Sequence, residues 1–200
     1  MGGSGSPPKE TEDDRILVDR ARGGDRDCFG TLVRRHQARA FNLAYQIVRN
    51  REDALDISQE AFARAYTSLS TFKGEATFTT WLHRIVVNLA IDSVRRKQRV
   101  GIATYDDTRA VPGEPDADVA VGEDPATVLE TKQVRALLAR GIAQLPPAQR
   151  AVVVLREIEG MSYEEISRAV GCTLGTVMSR LFYARRRLQK ILKAHLEGLR

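Results

Sequence analysis

Arg180, Arg185, Arg186, Arg187, Lys190 and Lys193 crowd one stretch near the C-terminus, against a single acid, Glu197. Guanidinium and ammonium groups at that density suit phosphates, contacts that hold a duplex without reading its sequence. At about 100° per residue, Gly175, Met178, Ser179, Phe182, Tyr183 and Arg186 share the outward face of a helix. An outward Phe182 has no core to fill, and a thymine methyl or a sugar would suit it. A second basic block, Arg95, Arg96, Lys97 and Arg99, follows a polar loop, Lys73-Gly74-Glu75-Ala76-Thr77, and then Phe78-Thr79-Thr80-Trp81. Small polar groups beside aromatics suit single-stranded bases, which offer stacking faces and free edges. Trp81 fits the core of a bundle equally well.

Other chemistries find no support. His36, His83 and His195 are scattered, no carboxylate cluster has metal-ligand spacing, and no glycine loop cradles phosphate, so no enzymatic activity of its own is expected. Cys28 and Cys172 lack CxxC or Cys/His neighbours, which argues for two partly buried thiols in a reducing compartment and against a zinc site. No metal, cofactor or small-molecule substrate is expected. No run approaches the roughly 20 apolar residues of a membrane span. Residues 1–12 open on MGGSGSPPK, a flexible tail without an apolar signal core. The expected location is therefore cytoplasmic, with no membrane insertion. A net charge of +5 and a pI near 9.5 suggest a polyanionic partner.

These groups need helices to position them. From Asp13 to about Gln98 the apolar residues recur at helical spacing. Phe29, Leu32, Val33, Leu43, Ile47 and Val48 mark one helix. Leu55, Phe62, Tyr66 and Leu69 mark one side of a second, and Trp81, Leu82, Ile85, Leu89 and Val94 a third. Breaks are expected at Gly23-Gly24, Arg49-Asn50-Arg51 and around Gly74. Residues 99–130 carry Pro112, Pro115 and Pro125 and a marked excess of acid, so this stretch is expected to be a flexible linker. Helices resume with Val134, Leu137, Leu138 and Ile142, stop at Leu145-Pro146-Pro147, and continue to Gly160. Ser162-Tyr163-Glu164-Glu165 is a capping box. Gly171 ends that short helix, and Thr173 caps a longer one with Val177, Leu181, Ala184 and Leu188 on its inner side. Two helices joined by a glycine turn, the second basic, form a helix-turn-helix that suits duplex DNA. The expected fold is all-α, with two helical domains, 13–98 and 131–200.

Several motifs together resemble bacterial RNA polymerase sigma factors. Asp53-Ala54-Leu55-Asp56-Ile57-Ser58-Gln59-Glu60-Ala61-Phe62 is similar to their region two, as are Phe72-Lys73-Gly74-Glu75 and Thr80-Trp81-Leu82-His83-Arg84-Ile85-Val86-Val87-Asn88. Leu145-Pro146, Leu155-Arg156-Glu157, Gly160 to Ile166 and Gly175-Thr176-Val177 resemble region four. With no domain between the two, the layout resembles the extracytoplasmic-function (ECF) subgroup. The resemblance implies that Asp56, Gln59 and Glu60 dock on the β′ clamp helices of the polymerase core, with the β flap as a further contact. It implies that Lys73, Gly74, Thr77, Phe78, Thr80, Trp81 and Asn88 take a base flipped from the minus-ten element. Trp81 in that setting is either bundle core or a strand-separating wedge. By the same resemblance Arg84, Arg95, Arg96 and Lys97 hold phosphates.

In region four, Thr173, Thr176, Met178, Ser179, Arg180, Phe182, Tyr183, Arg186 and Arg187 would meet the minus-thirty-five duplex. Many relatives have arginine where this chain has Met178 and Tyr183, which argues against the usual guanine-rich element. The linker would thread toward the active cleft and RNA exit path, and an anti-sigma partner is usual in this subgroup. The competing reading is a free-standing helix-turn-helix regulator. It requires a ligand pocket or phospho-acceptor in the first domain, where the sequence offers basic groups and a polar-aromatic loop.

Overall fold

The computed structural model describes residues 12–100, 134 and 136–197, and every regular element among them is helical. Residues 1–11 and 101–133, which carry most of the expected tail and linker, lie outside the described residues.

The first unit comprises α1 (Glu12–Arg22), α2 (Arg26–Val48), α3 (Arg51–Ser68) and α4 (Phe78–Val100). Local chemistry sets the boundaries. Asp25 Oδ1 accepts from the N–H groups of Asp27 and Cys28, both at 3.1 Å, and so caps α2. The bond from the Cys28 N–H, with that from the thiol, holds the Asp25 carboxyl below its ordinary value. Burial pushes the Cys28 thiol up, which makes it a poor nucleophile. At the other end Arg49 takes a left-handed conformation, φ 59°, and its N–H donates to the Tyr45 carbonyl at 2.9 Å. Asn50 then accepts from the Asp53 N–H at 2.9 Å and starts α3, so the break falls where the sequence places it.

The core of this unit is built on Leu32, Leu43, Ile47, Phe78, Leu82 and Val86, all fully or almost fully buried. The inner stripe of α3 departs from expectation. Ala54, Ile57, Ala61, Phe62 and Ala65 face inward, whereas Leu55 is 49% and Tyr66 42% exposed. Three alanines let α3 approach α2 and α4 closely, and the 3.6-residue period through them leaves Leu55 one position off the stripe. Tyr66 instead meets the Phe29 ring edge-on, 4.9 Å between centroids.

The second unit comprises α5 (136–143), α6 (Pro147–Val153), α7 (Tyr163–Val170) and α8 (Leu174–Glu197). Pro147 sits in the first turn of α6, where its missing N–H costs nothing. Arg150 ties the preceding turn by donating to the carbonyls of Ala143 at 2.6 Å and Leu145 at 3.1 Å. After Val153 the helix widens into a π turn over Val154–Ile158, with the Glu159 N–H bonded to the Val154 carbonyl at 3.1 Å. The capping box forms as expected. Ser162 Oγ accepts from the Glu165 N–H at 3.2 Å, and Glu165 accepts from the Ser162 N–H at 2.8 Å. Gly171, φ 63°, makes the turn into α8, a conformation with little penalty only for glycine.

The two units meet. Helices α6 and α7 pack on α2 and α4, and their buried residues belong to one continuous apolar cluster.

Candidate nucleic-acid interface

Helix α8 divides as its sequence period requires. Val177, Leu181 and Ala184 are buried and Leu188 packs beside them. Opposite, Met178, Phe182 and Tyr183 stand 53%, 59% and 58% exposed, with Ser179, Arg186 and Arg187 exposed around them. Apolar side chains that open in the middle of a basic helix face form a surface in want of a partner. Phe182 and Tyr183 pack edge to face at 5.4 Å, which stiffens the pair. Thr173 Oγ1 accepts from the Thr176 N–H at 3.3 Å and so caps the start of the helix, with the Thr176 hydroxyl 2.9 Å from it. Arg180 is half-buried, its guanidinium 3.6 Å from Cys172 Sγ, and Arg185 pairs with Glu157 at 2.6 Å.

The second surface is the loop before α4. Thr77 caps that helix, its Oγ1 accepting from the Thr80 N–H at 3.1 Å. Phe72, Phe78 and Trp81 pack together, with Trp81 centroids 5.1 Å from Phe72 and 5.9 Å from Phe78. Trp81 is half-buried. It packs against the core aromatics and also lines a cleft of about 310 Å³ with Lys73, Gly74, Thr80 and Arg84. Arg84 and Asn88 follow on the same exposed side of α4. Phe78, expected to face the strand, is fully enclosed in the core and has no free ring face for a base. Lys97, expected on phosphate, has its ammonium 2.6 Å from the Asp53 carboxylate. Arg95 and Arg96 are exposed, in a shallow groove shared with Glu60, Arg64 and Arg99.

Asp56, Gln59 and Glu60 are exposed together on α3, where Glu60 also pairs with Arg64 at 2.6 Å. Leu55 joins this face. Sequence periodicity assigned it to the core, although its four-residue spacing from Gln59 marks it as a neighbour of the polar face.

One cluster was not foreseen at all. Glu159, just after the π turn, is buried against the first unit. The Arg39 guanidinium reaches it with Nε at 2.9 Å and Nη2 at 2.8 Å, and His83 Nδ1 lies 3.5 Å away. Burial pushes the Glu159 carboxyl up, against the opposing pull of Arg39. Burial, then the charges of Arg39 and His36, push His83 down to about 3, so its ring is neutral at pH 7. Next to it, His36 Nε2 lies 2.8 Å from the buried Asp14 carboxylate, which also accepts from Arg35 at 2.8 Å. His36 and His83, far apart in sequence, thus come close in space. Among the described residues, no group of histidine, cysteine and carboxylate side chains has metal-site geometry. Nor is any described helix long and apolar enough to cross a membrane.

Comparison with known proteins matches both units. Residues 32–100 fit the model of Sigma-70 region 2 and residues 135–188 that of Sigma-70 region 4. The RNA polymerase sigma-H factor of Pseudomonas aeruginosa is 36% identical, over 91% of this chain and 95% of its own. The ECF RNA polymerase sigma-E factor of Escherichia coli K12 is 36% identical, over 86% of this chain and 90% of its own. Among solved structures, CnrH in complex with the cytosolic domain of CnrY aligns with a TM-score of 0.61 and 28% identity, over 92% of this chain and 99% of that one.

Proposed function

The chain belongs to the ECF group of RNA polymerase sigma factors, and from that premise we propose how its two surfaces divide the work of promoter-directed initiation. The observation that carries the reading is that each unit turns a distinct nucleic-acid surface outward: the apolar-basic face of α8, and the loop and α4 face around Trp81, Arg84 and Asn88. A rigid helix face with a basic surround suits duplex, and a loop with a stacking ring and an amide suits an unpaired base.

In this reading region four places α8 in the major groove of the minus-thirty-five element and contacts the β flap. Region two docks its Leu55, Asp56, Gln59 and Glu60 face on the β′ clamp helices, where a basic partner complements the acids. Lys73, Gly74, Thr77, Thr80 and Trp81 then receive a base extruded from the minus-ten element, and Asn88 supplies both a donor and an acceptor to its edge. Arg84, Arg95 and Arg96 hold the adjoining phosphates. Trp81 remains anchored through Phe72 and Phe78, so its free face can stack without the ring losing its position. The bond-making chemistry belongs to the polymerase, and the chain works where that enzyme works, in the cytoplasm. CnrH was solved with the cytosolic domain of a second protein, which supports an anti-sigma partner for this chain also.

The test is promoter opening with purified core enzyme. Asn88→Ala should leave closed-complex formation near its wild-type level and lower the rate of opening, followed by permanganate reactivity of unpaired thymines. An equal fall in both steps would exclude the base-capture role.

A further inference from the structure

Two stretches of this chain carry opposite charge. Helix α8 holds Arg180, Arg185, Arg186, Arg187, Lys190 and Lys193 against Glu197. The segment 101–133, outside the described residues, is acidic in sequence, with Asp116, Asp118, Glu123 and Asp124 set around Val119 and Val121 and only Arg109 and Lys132 as bases. On α8, Arg185 already has a counter-charge in Glu157 at 2.6 Å. Arg186, Arg187 and Lys190 are exposed and line a groove of about 700 Å³ with Tyr183, across from Gln144, which follows α5, and Gln149 of α6. Phe182, packed on Tyr183 with centroids 5.4 Å apart, adds a second exposed ring. A surface that joins cations to open rings suits a ligand that joins carboxylates to small apolar side chains. The acidic segment has that composition and is within reach. Gln144 lies ten positions after Val134, about 15 Å along a helix. Asp124 lies ten positions before Val134, a reach of about 33 Å when extended.

We propose that, in the chain without polymerase, the acidic segment Asp116–Asp124 binds the groove beside α8 and competes there with duplex DNA. Its carboxylates take the places of phosphates on Arg186, Arg187 and Lys190, and Val119 and Val121 meet the rings of Phe182 and Tyr183. Exposed ion pairs are individually weak, so the contact depends on the tether. A short tether holds the segment at an effective concentration on the order of 1 mM. A contact with a dissociation constant of about 0.1 mM is then about nine-tenths formed, and duplex binds about ten-fold more weakly than to a bare α8. The consequence is discrimination. Any duplex must displace the segment, and one that also fills the apolar patch of Met178, Phe182 and Tyr183 recovers more of that cost than one that offers phosphates alone. The proposal rests on the reading of α8 as the duplex-binding helix for its consequence, not for the contact itself.

The test uses the full chain and needs no polymerase. One variant combines Asp118→Asn, Glu123→Gln and Asp124→Asn. A second, with the same change in net charge, combines Asp19→Asn, Asp27→Asn and Glu52→Gln, three exposed carboxylates of the first unit. The first variant should move the backbone amide resonances of Phe182, Tyr183, Arg186 and Arg187, and the second should leave them in place. In fluorescence anisotropy with a short labelled duplex of mixed sequence, the first variant should bind about ten-fold tighter than the wild type and the second within about two-fold of it. Unmoved α8 resonances in the first variant would overturn the contact. Equal tightening in both variants would overturn it too, since overall charge alone would then account for the gain. Should the α8 resonances respond as stated while none of the three proteins binds the duplex, the contact stands and the reading of α8 as the duplex-binding helix fails.

Discussion

The Lys97 ammonium lies 2.6 Å from the Asp53 carboxylate and joins the end of α4 to the start of α3. Both side chains are mostly shielded, 33% and 21% exposed, so the pair serves the bundle first and offers little charge to an approaching phosphate. Arg96, one position earlier, is exposed. Arg96→Ala should therefore lower the slope of log affinity against log salt by about one phosphate contact, and Lys97→Ala by much less. Lys97→Ala should instead lower stability by roughly 1 kcal/mol. Salt titration of DNA binding, beside urea unfolding of the same variants, separates the two roles. Equal changes in salt slope would return Lys97 to the phosphate-binding set.

How far such roles show in the sequence depends on how local their cause is. Asn50, Ser162 with Glu165, and Gly171 mark helix ends through partners three or four residues away, so those boundaries stand where the pattern puts them. The outward face of α8 follows from one period and one basic surround, and it too is legible. The face of α3 is not, because alanines that permit close packing carry no hydrophobic signal as strong as Leu55 or Tyr66. Phe78 failed for the reverse reason, since a loop-flanking aromatic looks the same whether it faces a base or the core. Arg39 and Glu159 stand 120 positions apart, and no local rule pairs them.

The recognition face makes a specificity prediction. Met178 and Tyr183 present thioether and phenol where a guanidinium would chelate guanine, and Phe182 completes an apolar patch. Contacts of this kind favour thymine methyls over guanine edges. Tyr183→Arg should shift selected duplexes toward guanine at one position, with about 1–3 kcal/mol of discrimination. Phe182→Ala should weaken binding to the preferred duplex without such a shift. Selection from a randomised minus-thirty-five library by isolated holoenzyme decides it, and a guanine-rich wild-type consensus would refute the apolar reading.

Ser162 offers a stability test confined to region four. Its hydroxyl is half of a reciprocal cap, so Ser162→Ala leaves the Glu165 N–H without that acceptor and should cost about 1 kcal/mol. Ser162→Asp should retain most of the stability, because an aspartate accepts the same bond and also favours the positive helix end. Chemical denaturation gives both values. A loss in the aspartate variant as large as in the alanine variant would show that the cap is not what fixes the start of α7.

The buried His83 ring predicts a pH dependence with a definite sign. Its folded value is near 3 and its ordinary value 6.5, the shift arising first from burial and then from Arg39 and His36. As pH falls through 6.5 the unfolded chain binds a proton that the folded chain refuses until about 3. Stability from the neutral ring is thus fully present above 6.5 and is lost between 6.5 and 3, by at most about 1.4 kcal/mol per pH unit. Glu159, 3.5 Å away, runs the other way: burial raises it, so the folded chain takes up its proton before the unfolded chain does. Comparing wild type with His83→Gln, a side chain that does not titrate, isolates the histidine. The stability gap between them should narrow steadily from pH 7 to pH 5 in urea titrations, and repeating the pair in a Glu159→Gln background removes the opposing group. A gap that stays constant across that range would mean that the His83 ring takes up its proton near 6.5 in the folded chain, and hence that water reaches it at the boundary between the two units.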